Sequence, residues 1–182
     1  MHPATEKLVS ALTELSIPVE ACNFEERGYH FEIDLEADKL RSLAECMLAQ
    51  EMFLVFVGGL HVKPAIEIVY QFASFERACR LVVRVPVKAD NTIPTISDIY
   101  QGANWHERET RDFYGVIFTS HPNLVPLILA EEDVDLKPLL KKDEDLKESA
   151  AVRWAPHPKS TSSLTLTAPV EEKPEAEKAE QG

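Results

Sequence analysis

The stretch Trp105-His106-Glu107-Arg108-Glu109-Thr110-Arg111-Asp112-Phe113-Tyr114-Gly115 holds the densest set of side chains that could do chemistry. On a helix, Glu107 stands four residues before Arg111 and Arg108 four before Asp112, the spacing of self-paired ions on a solvated face. Such exposed pairs are worth only tenths of a kcal/mol. A metal reading is also open. His106 and Glu109 lie three apart on one helix face and His121 follows in a loop, the ligand set of a free-standing metal or carboxylate enzyme. Against it, H-E-x-x-H would need a second histidine where Thr110 stands, and a di-iron site would need a second Glu-x-x-His. Glu107 and Glu109 are two apart, so they project to different sides of a helix and cannot easily share one substrate as acid and base.

Elsewhere the chemistry thins out. There is no G-x-S-x-G, and Cys22, Cys46 and Cys79 fall in or beside helix and strand patterns, where a buried structural thiol is the default. No C-x-x-C spacing offers a zinc or iron–sulfur site. Gly58-Gly59 lacks the G-x-G-x-x-G spacing of a phosphate cradle. His30 and His61 sit in strand patterns, where hydrogen-bonded histidines are commoner than ligands.

The elements that would position these groups follow from periodicity. Thr5 can cap a helix carrying Leu8, Ala11, Leu12 and Leu15, which Pro18 stops. Tyr29, Phe31, Ile33 and Leu35 alternate with polar residues, as in a half-buried strand. Asp38 can cap a second helix with Leu40, Leu43, Ala44, Met47 and Leu48 on one face. The apolar run Phe53 to Val57 reads as a central strand, which Gly58-Gly59 can bend or bulge. Two alternating strands, Ile66 to Phe72 and Cys79 to Val87, flank the loop Ala73 to Ala78. A hairpin centred on that loop predicts Ile68 opposite Val83, Tyr70 opposite Leu81 and Glu67 opposite Arg84. A last helix is expected from a cap at Ser97 through Trp105 to Phe113. The architecture is therefore α+β: a mostly antiparallel sheet with helices on one face, then a C-terminal helix and an extended arm.

Three segments emerge: a core over 1–118 that includes the charged helix, an extended arm over 119–155, and a disordered acidic tail over 156–182. The arm has little periodicity yet carries Leu124, Val125, Leu127, Ile128, Leu129, Leu136, Leu139, Leu140 and Trp154. Long structureless loops inside a domain are uncommon, so these side chains lie either along a partner or back on the chain's own sheet.

Composition bounds the function. The chain has 182 residues, enough for one domain with some chain to spare, and is 45% hydrophobic. With 31 acidic and 19 basic residues its formal charge is −12, which argues against nucleic acid and anionic lipid surfaces. Three cysteines with no close pair suit a reducing compartment. The N-terminus shows no signal-peptide pattern, and no apolar run approaches the roughly 20 residues of a membrane span. A soluble, cytoplasmic chain without direct membrane insertion is expected.

The run Glu107-Arg108-Glu109-x-x-Asp112-Phe113-Tyr114-Gly115-Val116-x-Phe118-x-x-His121-Pro122-x-Leu124 closely resembles the signature of the C subunit of proton-pumping NADH:quinone oxidoreductase, respiratory complex I. Pro138-Leu139-Leu140-Lys141-Lys142-Asp143 resembles that family's later basic box, with Leu140 and Lys141 where an arginine is expected, and Val125-Pro126 replaces its usual arginines after the His-Pro step. The resemblance implies a non-catalytic component of the peripheral arm, on the cytoplasmic side of the plasma membrane. It would bind no cofactor itself, in a complex that uses NADH, flavin, iron–sulfur clusters and quinone. It would pack against the D subunit, which together with the B subunit forms the quinone pocket. On this reading Trp105, Glu107, Arg108, Glu109, Asp112, His121, Pro122, Leu124 and Leu127 are partner-interface and helix-fixing residues. Membrane-bound hydrogenases and F(420)H(2) dehydrogenases carry similar subunits, so the electron donor stays open.

Overall fold

A computed structural model of the chain describes residues 3–76 and 78–153. The helix α1 (Pro3–Glu14) buries Leu8 and Leu12, one turn apart. A two-residue strand β1 (Glu20–Ala21) and a single turn α2 (Phe24–Arg27) lead to β2 (Phe31–Asp34). Then comes α3 (Leu40–Ala49), whose Leu40, Leu43, Ala44 and Met47 repeat at the helical period and are all buried. Asp38 lies in a 3₁₀ turn that runs into α3 and does not cap it. Three long strands follow: β3 (Phe53–His61), β4 (Ile66–Ser74) and β5 (Cys79–Pro86).

The five strands form one sheet in the order β1-β2-β5-β4-β3, in which only the β2–β5 pair is parallel. Phe31 and Ile33 of β2, Ile68, Tyr70 and Phe72 of β4, and Leu81, Val83 and Val85 of β5 share one core with α1 and α3. The expected α+β sheet with helices on one face is present.

Two expectations about the sheet are corrected. The β4–β5 hairpin is shifted by two residues: Glu67 faces Pro86, Ile68 faces Val85 and Tyr70 faces Val83. Ala73 and Ser74 stay paired, with Arg80 and Cys79, so the strand runs on through Ser74. A two-residue shift keeps every side chain on its face, so the apolar pattern is satisfied by either register. The charges choose other partners. Arg84 Nε donates to Glu32 Oε1 on β2 at 2.6 Å, and Glu67 lies 3.5 Å from Arg153. Second, β3 is an edge strand rather than a central one. Its bulge lies between Leu54 and Phe56 rather than at the glycines.

Gly59 has a different task. A Cβ there would meet the Tyr114 ring at 2.7 Å and the Thr110 methyl at 3.3 Å. The missing side chain lets the fourth helix, α4 (Ala103–Tyr114), lie directly on β3. Gly59→Ala is expected to cost about 1–3 kcal/mol by overpacking, read as a lower urea midpoint at unchanged slope.

The helix α4 starts later than expected, because Ser97 is tied into a turn with Thr95 and caps nothing. It ends at Gly115, whose φ of 72° and N–H to Arg111 O (2.8 Å) close the last turn. Two short strands, β6 (Thr92–Pro94) and β7 (Ile117–Thr119), pair in parallel on either side of α4 in sequence. At three residues each, they carry too little alternation to read from sequence.

The segment after β7 is not a free arm. Leu139 N donates to Phe113 O (3.2 Å), Lys141 N to His61 Nδ1 (2.9 Å) and Lys63 N to Lys147 O (2.9 Å). A last short helix, α5 (Ser149–Arg153), is fixed by Arg153 on Asp34 at 2.7 Å. The backbone is thus strapped to the core, while Val125, Ile128, Leu136, Leu139 and Leu140 keep 43–65% of their surface exposed. Cys79 is buried, whereas Cys22 and Cys46 are only partly covered, and all three are thiols rather than disulfides. Trp154 and the 156–182 tail lie outside the described residues.

Candidate functional site

The charged helix spends two of its acids, Glu107 and Asp112, on the chain itself. Neither expected i,i+4 ion pair forms. Asp112 is fully buried as a side chain and faces the strap: its Oδ2 accepts the N–H groups of Leu127 (2.8 Å), Ile128 (2.8 Å) and Leu129 (3.2 Å). Burial opposes its charge, but these three donors and nearby Arg111 outweigh it and hold its pKa below the usual carboxylate value. Arg108, one turn earlier, donates from Nε to Val125 O (3.0 Å) and from Nη2 to Pro126 O (2.8 Å). An acid and a base on α4 therefore grip five consecutive residues of backbone, 125–129, through carbonyls and amides.

Glu107 points inward. Its side chain is 0% exposed. Oε1 accepts the Ile96 N–H at 2.9 Å, and Oε2 accepts the Thr95 hydroxyl. Thr95 Oγ1 lies 2.8 Å from Ser97 Oγ and accepts the Ser97 N–H at 3.1 Å. Burial pushes the Glu107 pKa up to about 7, against the opposing pull of the Thr95 and Ile96 hydrogen bonds.

The imidazole of His121 completes the cluster. It is fully buried, with Nε2 3.8 Å from Glu107 Oε2 and without a hydrogen-bond partner. Its Nδ1 accepts the Asn123 N–H at 3.0 Å. Burial lowers its pKa, outweighing the Asn104 backbone contact, and the Arg108 charge adds to the lowering. The Tyr70 hydroxyl on β4 is likewise buried and unpartnered, and burial together with the Glu107 charge raises its pKa well above normal.

The remaining site residues divide by exposure. Trp105 is 66% exposed, and Phe56 packs edge-on to His106. Glu109 Oε2 lies 3.9 Å from His106 Nδ1. Pro122 is exposed, while Leu124 and Leu127 are partly buried, Leu124 against the core. His106 and Glu109 face outward and His121 inward, so the three residues of the metal reading do not converge, and no cluster of three metal-binding side chains occurs among the described residues. Glu107, Asp112 and His121 are buried side chains with their contacts inside the chain. Thr95, Ser97 and Tyr70 belong to the site but escape a sequence reading; the Thr-x-Ser spacing ahead of α4 is the available signal.

These elements define a two-layer α+β domain whose fold is found in two solved structures. It is shared by a trypsin-resistant fragment of Nqo5, with a TM-score of 0.55 and 24% identity, covering 66% of this chain and 99% of that one. It is also shared by a chain of the membrane-bound sulfane sulfur reductase, an archaeal respiratory membrane complex, with a TM-score of 0.65 and 24% identity over 82% and 88% of the two chains. Residues 33–150 match the family described as the respiratory-chain NADH dehydrogenase 30 Kd subunit, and the chain belongs to it. Among relatives, the C subunit of NADH-quinone oxidoreductase from Roseiflexus sp. is 42% identical over 47% of this chain and 49% of its own length. The C subunit from Ruegeria pomeroyi is 34% identical over 48% and 44%. The C subunit of F(420)H(2) dehydrogenase from Methanosarcina mazei is 30% identical over 64% of this chain and 77% of its own. The chain spans about half the length of the first two.

Proposed function

We propose that the chain is a non-catalytic component of the peripheral arm of an NADH:quinone oxidoreductase, which holds the neighbouring D and B subunits in place while electrons pass through them. The observation that carries this reading is the contrast along the strap: its backbone is hydrogen-bonded to the core, yet Val125, Ile128, Leu136, Leu139 and Leu140 face outward, as do Trp105 and Phe56 on the core. An apolar row fixed in place is a pre-ordered docking surface, because its conformational entropy is already spent before a partner arrives. Trp105, Glu109, Pro122, Leu124 and Leu127 border that surface. Flavin, iron–sulfur clusters and quinone would belong to the neighbours. No helix among the described residues is long and apolar enough to cross a membrane, which fits a peripheral position on the cytoplasmic side of the plasma membrane.

A second reading, the equivalent component of an F(420)H(2) dehydrogenase, is favoured by the longer match to the Methanosarcina mazei protein. Purification of the native complex through this chain, with identification of its neighbours, separates them: flavin and NADH-binding subunits support the first, an F(420)-oxidising one the second. Recovery of the chain alone overturns both.

Arg108→Ala tests the role of the strap. Its two carbonyl contacts are partly exposed, so the free chain should lose only about 1–2 kcal/mol. Recovery of the assembled complex should fall far more, because the displaced strap carries the docking residues. Equal losses in folding and in assembly would count against the proposal.

A further inference from the structure

We propose that Glu107, Thr95 and Ser97 form a relay that takes up and releases one proton, and that this proton governs how tightly His121 holds the root of the strap to α4. The geometry allows two directions for the same chain of hydroxyls. With Glu107 ionised, Ser97 Oγ donates to Thr95 Oγ1, which donates to Glu107 Oε2. With Glu107 protonated, Oε2–H donates to Thr95 Oγ1, which donates to Ser97 Oγ. The Ser97 N–H donates to Thr95 Oγ1 in both states, so neither leaves the threonine oxygen unsatisfied. Conversion balances simply. The Ser97 hydroxyl hydrogen leaves to water, the Thr95 hydrogen moves to Ser97 and the Glu107 proton moves to Thr95. Only O–H bonds are made or broken.

The surroundings confine the proton to this chain. His121 Nδ1 is occupied by the Asn123 N–H, so its ring hydrogen sits on Nε2 and the imidazole stays neutral. That Nε2–H lies 3.8 Å from Glu107 Oε2 and, apart from the Asn104 backbone contact, has no hydrogen-bond partner. A carboxylate draws it in; a carboxylic acid does so weakly. From β4, Tyr70 adds a buried, unpartnered hydroxyl near the same charge. From α3, Arg41 binds Thr95 O at 2.8 Å and favours the ionised form, while Asp98, which Arg41 also binds, disfavours it. Burial, with the Arg108 charge on α4 adding to it, disfavours the cationic form of His121. His121 opens the strap, with its N–H on Phe118 O, so a contact made or lost by its ring is made or lost at the strap's root.

The test is an infrared titration of the full chain, following the protonated-carboxyl C=O stretch, with hydrogen exchange of residues 119–124 measured over the same range and corrected for intrinsic pH dependence. The expected result is a band lost with a midpoint near pH 7, absent in Glu107→Gln, and slower exchange at 119–124 once the band has gone. In His121→Phe the midpoint should rise and the exchange change should vanish. Thr95→Val assigns the band by an upward shift should Glu107→Gln not fold. A native chain without a carboxyl band titrating near neutrality overturns the relay. A band that titrates with no change in exchange at 119–124 overturns its tie to the strap.

Discussion

Asp112→Ala should lower the stability of the chain by about 3–5 kcal/mol and release the strap from α4. One carboxylate oxygen accepts three successive amides, Leu127 to Leu129, in a site where its side chain has no solvent exposure. Truncation leaves three donors without an acceptor, and hydrogen bonds to a charged group are worth about 1.5–3 kcal/mol each without being additive. Asp112→Asn should cost less, since one amide oxygen can still accept while its NH₂ cannot. Urea denaturation reads the loss, and faster exchange of amides 125–140 reads the release. The Asp112 pKa is lowered on folding, so its contribution is complete above the ordinary aspartate value and disappears only as pH falls through the lower folded value. The release should therefore be reproduced in strong acid but not at mild acidity.

The second large effect runs the opposite way with pH. Glu107 ionises at about 7 in the folded chain against an ordinary value of 4.5. The folded state binds that proton more tightly than the unfolded one, so the contribution is fully present below 4.5 and is lost as pH rises through 7. The difference of 2.5 units corresponds to about 3 kcal/mol. His121, with its lowered value, opposes this on the acid side, where it destabilises the fold as pH falls below its ordinary value of 6.5. Below 6.5 the two oppose each other, so the net decline should show between 6.5 and about pH 8. Glu107→Gln keeps the Ile96 and Thr95 partners available and should abolish the alkaline decline. A native chain whose unfolding midpoint is flat between mild acid and about pH 8 would contradict the assignment.

The contrast between what sequence discloses and what it hides is plain in these residues. The buried faces of α1, α3, β4 and β5 are readable because periodicity reports which side of an element meets the core. The hairpin register is not, since a shift of two residues leaves the apolar alternation intact and the deciding contacts, Arg84 with Glu32 and Glu67 with Arg153, come from distant chain. The edge position of β3 is hidden for a related reason: an apolar run does not tell a covered strand from one whose apolar side chains are left outside, and Val55 and Phe56 within that run are exposed. The family signature marks Glu107, Arg108, Asp112 and His121 as belonging together. Their roles needed the fold, because Asp112 recognises main-chain amides, which have no letter in the sequence, and Glu107 recognises a turn twelve residues upstream.

The parallel pairing of β2 with β5 has a consequence for how the chain comes to be folded at all. Their partners stand fifty residues apart, Phe31 against Leu81 and Ile33 against Val83, while β3, β4 and β5 are joined by short turns. Loop closure favours the nearer contacts, so the β3–β5 meander should condense first and the N-terminal third should dock on it afterwards. During synthesis the N-terminal segment would wait, with the apolar sides of α1 and α3 uncovered, until β5 has left the ribosome. That waiting interval is where a chaperone would be needed, and where slowing translation after β5 would raise the yield of folded protein.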